Sequence, residues 1–209
     1  MLLLFSAWAF AENGYYQDPN SDGKDIVFVA EDDIWIVPID GGEAQRLIAS
    51  RGVDAEPLLS SDGSTLFWTS DLDGNREIYS TELSCCGSKN PIPMDRWERL
   101  TWRQGTDYLL GFGASEDELL LQNPSQSPFF RSEIEVLNIE DLSIQILKNG
   151  HKIALNGEPV LWQDYGTDWQ VWKGYRGGLA PEIWLDDGTL TQNVSKWIGE
   201  DTEPFWMDD

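Results

Sequence analysis

The chain has 209 residues and a formal net charge of −23, from 37 Asp and Glu against 14 Lys and Arg. That length suits one sizeable domain or two small ones, with enough buried surface to need no disulfide framework. The charge argues against nucleic acid or an anionic membrane as a partner, since both would repel it; it is either a solvated acidic surface, as in a salty habitat, or a funnel for basic ligands.

Residues 2–10 are an apolar run, and Ala9-Phe10-Ala11 fits the small-x-small cleavage pattern. Residues 1–11 therefore read as a signal peptide without its positive start, and the protein as periplasmic or secreted. A buried strand is the other reading. The run is far short of the roughly 20 residues of a membrane helix.

From residue 12 onward the chain reads as short strands between tight turns. The first unit has a strand within residues 15–23, then residues 25–30, 34–39 and 44–48. Pro38 marks its strand as an outer, less fully paired one. The second unit has residues 57–60, Leu66-Phe67-Trp68, a strand opening at Ile78-Tyr79, and residues 97–101, with residues 85–96 inserted before the last. The third has residues 109–112, 118–122, 133–139 and 142–147. Residues 131–149 could pass for a helix, but Ile134/Val136 and Leu142/Ile144/Ile146 alternate with period two, so a hairpin is expected. The fourth has residues 151–155, 159–163, a long excursion, then 182–186 and 189–195. Glu203-Pro204-Phe205-Trp206 then copies Glu56-Pro57-Leu58-Leu59 and is expected to open a fifth unit.

Second strands begin at Ile26, Leu66, Leu119 and Val160, which are 40, 53 and 41 residues apart. Five Asp-Gly and three Asn-Gly pairs supply the turns. A period of about 40 with four strands per unit marks a β-propeller. The fold class is thus all-β: about four blades of four antiparallel strands over residues 12–209, set as an open arc and an incomplete ring. Eleven Trp suit broad, half-buried sheet surfaces.

Residues 22–35, Asp-Gly-Lys-Asp-Ile-Val-Phe-Val-Ala-Glu-Asp-Asp-Ile-Trp, resemble the first blade of the tricorn protease family. Trp172-Lys173-Gly174-Tyr175-Arg176-Gly177-Gly178, followed by Glu182-Ile183-Trp184, is similar to a motif of that family's N-terminal propeller. The likeness covers residues 14–209. Ser60-Ser61-Asp62-Gly63, by contrast, is shared by many propellers, TolB-like ones included. The resemblance implies a six-bladed propeller at the front of a large serine peptidase that degrades oligopeptides. It implies a second, seven-bladed propeller, a PDZ-like domain and a catalytic domain with Ser and His downstream. The family's catalytic residues have no positions in this chain to occupy.

The residues themselves offer little catalysis. His151 is the only histidine, so a His-based zinc site fails on count, and with no nucleophile elbow nearby it reads as a solvent-facing strand residue. Asp71-Leu72-Asp73-Gly74-Asn75 has oxygen ligands at alternate positions, as calcium loops do, but its flanks read as strands and a hairpin turn is expected. Glu31-Asp32-Asp33 reads the same way. No cofactor is expected. Cys85-Cys86 leaves open a vicinal disulfide, links to another chain or two thiols, and Asn193-Val194-Ser195 matches a glycosylation sequon. The excursion over residues 165–181 carries Trp169, Trp172 and Tyr175 with two cations, Lys173 and Arg176. Its aromatics are expected to pack back on the blade or on another subunit. Lys173, Tyr175 and Arg176 are the candidate contacts for a peptide's carboxyl end, if the cations do not pair with local carboxylates.

The leading function is a non-catalytic propeller of an exported tricorn-like serine peptidase that gates or channels oligopeptides. Its partners are those peptides, the remaining domains of the same peptidase, and other copies in a homo-oligomer. The alternative is a TolB-like periplasmic propeller acting as an interaction scaffold; a small hydrolase complete in itself is the weakest reading.

Overall fold

The computed structural model describes residues 15–83, 91–125, 132–155, 157, 159–166, 178–195 and 199–207. They build four separate four-stranded antiparallel sheets, each with its strands in chain order. Blade one has β1 (Gln17–Ser21), β2 (Asp25–Ala30), β3 (Asp33–Pro38) and β4 (Gln45–Ile48). Blade two has β5 (Asp54–Leu59), β6 (Thr65–Ser70), β7 (Glu77–Glu82) and β8 (Glu98–Arg99). Blade three has β9 (Tyr108–Phe112), β10 (Glu118–Asn123), β11 (Glu133–Asn138) and β12 (Ile144–Asn149). Blade four has β13 (Lys152–Leu155), β14 (Val160–Gln163), β15 (Ile183–Asp186) and β16 (Thr191–Asn193). The expected propeller blades are what the structure shows.

The turns form for the reason the Asp-Gly pairs suggest. Asp22 Oδ1 accepts the N–H groups of Lys24 and Asp25 at 2.8 and 2.7 Å, and Asp187 Oδ1 those of Thr189 and Leu190 at 2.9 and 2.7 Å. These backbone bonds hold both carboxyls below their ordinary pKa. Gly63 has φ +71°, and a Cβ there would stand 2.3 Å from Asp22 Oδ2 of the neighbouring blade, so no other residue fits without a shift.

Residues 133–149 are the expected hairpin, with Glu135 opposite Ile146 and Leu137 opposite Ile144. Two expectations are corrected. Pro38 does not lie in an outer strand, because β3 is paired on both sides. It is tolerated because the β3–β4 ladder runs only as far as Ile36 opposite Gln45, so Pro38 lies past its end. Residues 203–206 are not a strand among the described residues. Their backbone nevertheless repeats the first strands: Glu203 has φ 54°, against 51° at Glu56 and 47° at Asp18.

The core lies between blades. One apolar cluster joins Val27, Ile34 and Leu47 of blade one to Leu59, Leu66 and Trp68 of blade two. A second joins Phe67, Ile78 and Leu100 of blade two to Leu109, Leu119 and Leu137 of blade three. The fully buried Trp68 stacks on Tyr79 at 5.8 Å and meets Trp97 edge-on at 5.2 Å.

The described end of the blade-two insertion completes the first cluster. Ile92 drops between the two blades, and its N–H donates to the carbonyl of Leu47 in β4 at 2.8 Å. Trp97 Nε1 closes over it, donating to the Ile92 carbonyl at 3.1 Å. Cys85 and Cys86 lie outside the described residues. Because Ile92 is 7% exposed and packs on both blades, Ile92→Ala is expected to cost about 2–4 kcal/mol. The midpoint of urea denaturation, read from Trp fluorescence, measures it.

Candidate functional site

Each blade is hung on the last by the same backbone bond. The N–H groups of Asp54, Asp107 and Gly150 donate to the carbonyls of Asp32, Arg76 and Ser132 at 2.9 Å, and Asp201 to Pro181 at 3.1 Å. The donor begins an innermost strand or its counterpart; the acceptor stands just before a third strand. The bond at Asp201 seats residues 201–207 against blade four just as Asp54 and Asp107 are seated against blades one and two.

At the position two residues past the donor, β1 and β5 bulge. Asp18-Pro19 and Glu56-Pro57 interrupt the β1–β2 and β5–β6 registers, and Glu203-Pro204 holds the same position. Their positive φ is uncommon for a residue with a Cβ, and proline next in line narrows the choice further. The bulge turns the carboxylate across to the next blade. Asp18 Oδ2 accepts the N–H of Glu56 at 3.4 Å, and Glu56 Oε2 accepts that of Leu109 at 2.8 Å. Thr69 Oγ1 also donates to Glu56, at 3.1 Å, and the Arg76 guanidinium lies 3.5 Å away. Burial pushes the Glu56 carboxyl up, opposed by the Leu109 N–H and Arg76. Glu203 stays exposed, 4.0 Å from Lys152. This position carries an acid in β1, in β5 and in the segment at residues 203–204, half-buried at Glu56 and open to solvent at Asp18 and Glu203; β9 and β13 have Leu109 and Lys152 in its place.

The seams differ in how they treat the acid at the donor position. Asp107 is buried, but Arg103 Nη2 reaches it at 2.6 Å and Asn123 Nδ2 at 2.9 Å. Arg103 also holds the buried Glu135, through Nη1 at 3.0 Å. Burial works against the Arg103 charge, and its bonds to Glu135 and Asp107 outweigh it and raise its pKa.

At the same repeat position Asp54 is 0% exposed and has no guanidinium. Ser50 stands where Arg103 would, and Ser70 where Asn123 would. Neither Asp54 oxygen nor the nearby Trp68 Nε1 makes a hydrogen bond of good geometry. Burial therefore pushes the Asp54 carboxyl up to about 6, with Ser70 and Ser50 opposing and Asp33 adding to the rise.

Between the ordinary carboxyl pKa of 3.8 and about 6, the folded state holds a proton that the unfolded state has lost, so stability falls as pH rises through that window. At about 1.4 kcal/mol per pKa unit, the penalty at pH 7 approaches about 3 kcal/mol. Asp54→Asn is expected to flatten that part of the stability profile and to raise Tm at pH 7 but not at pH 3.5. Thermal melts at both pH values measure it.

Of the residues singled out from sequence, Lys173, Tyr175 and Arg176 lie outside the described residues. His151 is corrected: it is half-buried at the seam of blades three and four rather than a solvent-facing strand residue. Its Nδ1 stands 2.6 Å from Gln122 Nε2, and it packs on Gly166, where a Cβ would lie 2.9 Å from Cε1. Residues 71–75 are the β6–β7 turn, with their carboxylates already in use: Asp71 Oδ1 accepts the Val53 N–H, and Asp73 Oδ2 accepts from Tyr79 and Arg99. No cluster of three or more metal-binding side chains occurs among the described residues. Asn193 lies on the exposed β16, its Nδ2 donating to Glu182. Arg103, Glu135 and Asp54 were missed, although Asp54-x-Glu56-Pro57 and Asp201-x-Glu203-Pro204 show the repeat in the sequence itself.

Four four-stranded blades joined by a repeated seam bond, with bulged acidic first strands in blades one and two, define a β-propeller domain. The family model described as the tricorn protease N-terminal β-propeller domain matches residues 13–209, and the chain belongs to that family. Tricorn protease homolog 1 of Streptomyces coelicolor is 30% identical over an alignment of 206 residues that covers 95% of this chain and 18% of that protein. A candidate tricorn-like protease N-terminal subunit of Sulfurisphaera tokodaii is 27% identical over 177 residues, covering 81% of this chain and 85% of that one. The chain thus spans under a fifth of the first relative and most of the second. Among solved structures, the tricorn protease superposes with a TM-score of 0.69 at 17% identity, over 90% of this chain and 19% of that one. TolB of Acinetobacter baumannii gives 0.66 at 23% identity, over 93% of this chain and 46% of that one. Both likenesses are of fold.

Proposed function

We propose that this chain is the non-catalytic N-terminal propeller of an exported tricorn-like serine peptidase, and that it gates or channels oligopeptides toward catalytic domains carried elsewhere. The observation behind this reading is the acid repeated at Asp18, Glu56 and Glu203, two of the three open to solvent, in a chain of net charge −23. Exposed carboxylates such as Asp18 and Glu203 attract the cationic amino end of a peptide and raise its local concentration. Because peptides share their backbone and termini, such a field favours them without regard to sequence. The relative described as an N-terminal subunit fits a propeller that works beside a separate catalytic part. On this reading the partners are oligopeptides, the other domains of the peptidase and further copies of the protein. Lys173, Tyr175 and Arg176 are proposed to meet a peptide's carboxyl end. Export removes residues 1–11 and leaves Glu12 first, which N-terminal sequencing of periplasmic or secreted protein checks.

In the full-length enzyme, the double variant Asp18→Asn/Glu203→Gln is expected to lower kcat/KM for basic decapeptides several-fold at low salt. The difference should fade toward 1 M salt, where the screening length is about 3 Å, and a fluorogenic dipeptide should be cleaved as before. Equal rates for the variant and the wild type on decapeptides at low salt would count against channelling. The TolB likeness favours a second reading, an interaction scaffold; a protein that captures partners but never alters peptide turnover would support it.

A further inference from the structure

The seams provide an internal comparison. Leu47 and Leu147 are each the extra residue where an outermost strand shifts register, between Arg46 and Ile48 in β4 and between Ile146 and Lys148 in β12. Leu100 holds that place after Arg99 in blade two, its N–H on the Ile78 carbonyl. Leu47 and Leu100 are 4% and 2% exposed, but Leu147 is 38% exposed. Its neighbour Ile146 is 60% exposed and stands where blades one and two carry Arg46 and Arg99.

The reason is a cleft of about 470 Å³ between blades three and four, walled by Val136, Leu147, Leu155 and Val160. These are the repeat counterparts of Ile36, Leu47, Leu59 and Leu66, which close on one another at the first seam with Ile92 among them. Among the described residues, the cleft at the third seam is therefore the first seam without its plug, and none takes the place of Ile92. Its size lies within the roughly 300–1,000 Å³ of ligand pockets. Two carboxylates, Glu118 and Asp141, line it together with the apolar walls. Hydrogen bonds from Ser143 hold the Asp141 carboxyl below its ordinary pKa, so it is charged at neutral pH.

We propose that this cleft docks an extended segment of a partner polypeptide that copies what residues 91–93 do at the first seam. The segment presents an aliphatic side chain to Leu147, Leu155 and Val160. Its N–H donates to the Leu147 carbonyl on the outer edge of β12, as that of Ile92 does to Leu47. A neighbouring Lys or Arg meets Glu118 and Asp141. Flanking prolines suit the ligand, as Pro91 and Pro93 flank Ile92, because they hold the segment extended before it binds and bring no N–H that would need a partner. β12 is also the longest of the four outermost strands, with six residues against four, two and three, and so offers the longest edge for strand addition. This site is separate from the innermost strands and does not rest on their role.

The probe is the peptide acetyl-Lys-Asn-Pro-Ile-Pro-Met-amide, the sequence of residues 89–94, titrated into the full chain by calorimetry. Binding is expected, and Ile146→Glu should weaken it about tenfold or more, since the new charge would be buried beside an apolar side chain. Glu118→Gln/Asp141→Asn should weaken it severalfold and remove its salt dependence, and the peptide with Asn for Ile should not bind. Far-ultraviolet melts confirm that the variants fold. Failure of the wild type to bind would overturn the proposal, as would equal affinity for Ile146→Glu. A photo-cross-linker at Gln145 that labels only this chain's own residues 167–177 would overturn it as well, by showing that the plug is internal.

Discussion

The backbone hydrogen bond at each seam sets the geometry on which the other contacts depend. It uses only main-chain groups, so its position tolerates Asp54, Asp107, Gly150 and Asp201 alike. Once it is made, the innermost strand lies against the strands of the previous blade, and the bulge two residues later falls where its carboxylate can reach the next blade. Close approach follows too. At Gly150 a Cβ would stand 2.7 Å from the Gln163 carbonyl and 2.9 Å from Trp162 Cδ1, so the third seam can close only around a glycine. The buried main-chain donor would otherwise lack a partner, and that cost keeps the bond in place whatever side chains surround it.

Around this constant the seams spend their polar groups differently. The second seam buries an ionic network, Arg103 with Asp107 and Glu135, and each carboxylate there has its cation. Such a network stabilises little against a well-packed apolar one, but losing any member strands a buried charge. The first seam buries Asp54 without a cation, beside Trp68, which itself packs against Tyr79 and Trp97. Apolar burial there offsets a carboxyl that would rather be neutral. One repeat position has thus been solved once by charge pairing and once by packing.

The architecture was legible because it is written in local signals. Asp-Gly turns fix the chain reversals, and residues 25–30 and 133–138 alternate or run apolar over a strand's length, so both were placed within a residue. What escaped lies across seams. Ile92 is one aliphatic residue between two prolines, and nothing nearby in the sequence says that it fills a gap beside Leu47. His151 looked like a strand residue because its partner, Gln122, is 29 positions away. Arg103 binds Glu135 from 32 positions away. Pro38 misled because its effect depends on where the neighbouring strand stops, which the residue itself does not encode. Lys173, Tyr175 and Arg176 fall outside the described residues, and their role rests on sequence alone.

The third seam is held differently from the first two. Lys148 bridges to Asp186 and lies 4.9 Å over the Trp162 ring, and the strands of blade four bury only Trp162 and Gln163. In an array where each unit contacts only its neighbours, opening is governed by the weakest junction. Amide exchange should therefore be graded along the chain, with protection greatest at the Trp68 strand of blade two and least in blade four. Ionic strength would steepen that gradient, because screening weakens the partly exposed Lys148–Asp186 pair and reaches the buried contacts of the other seams much less. The propeller would then soften from one side rather than as a whole.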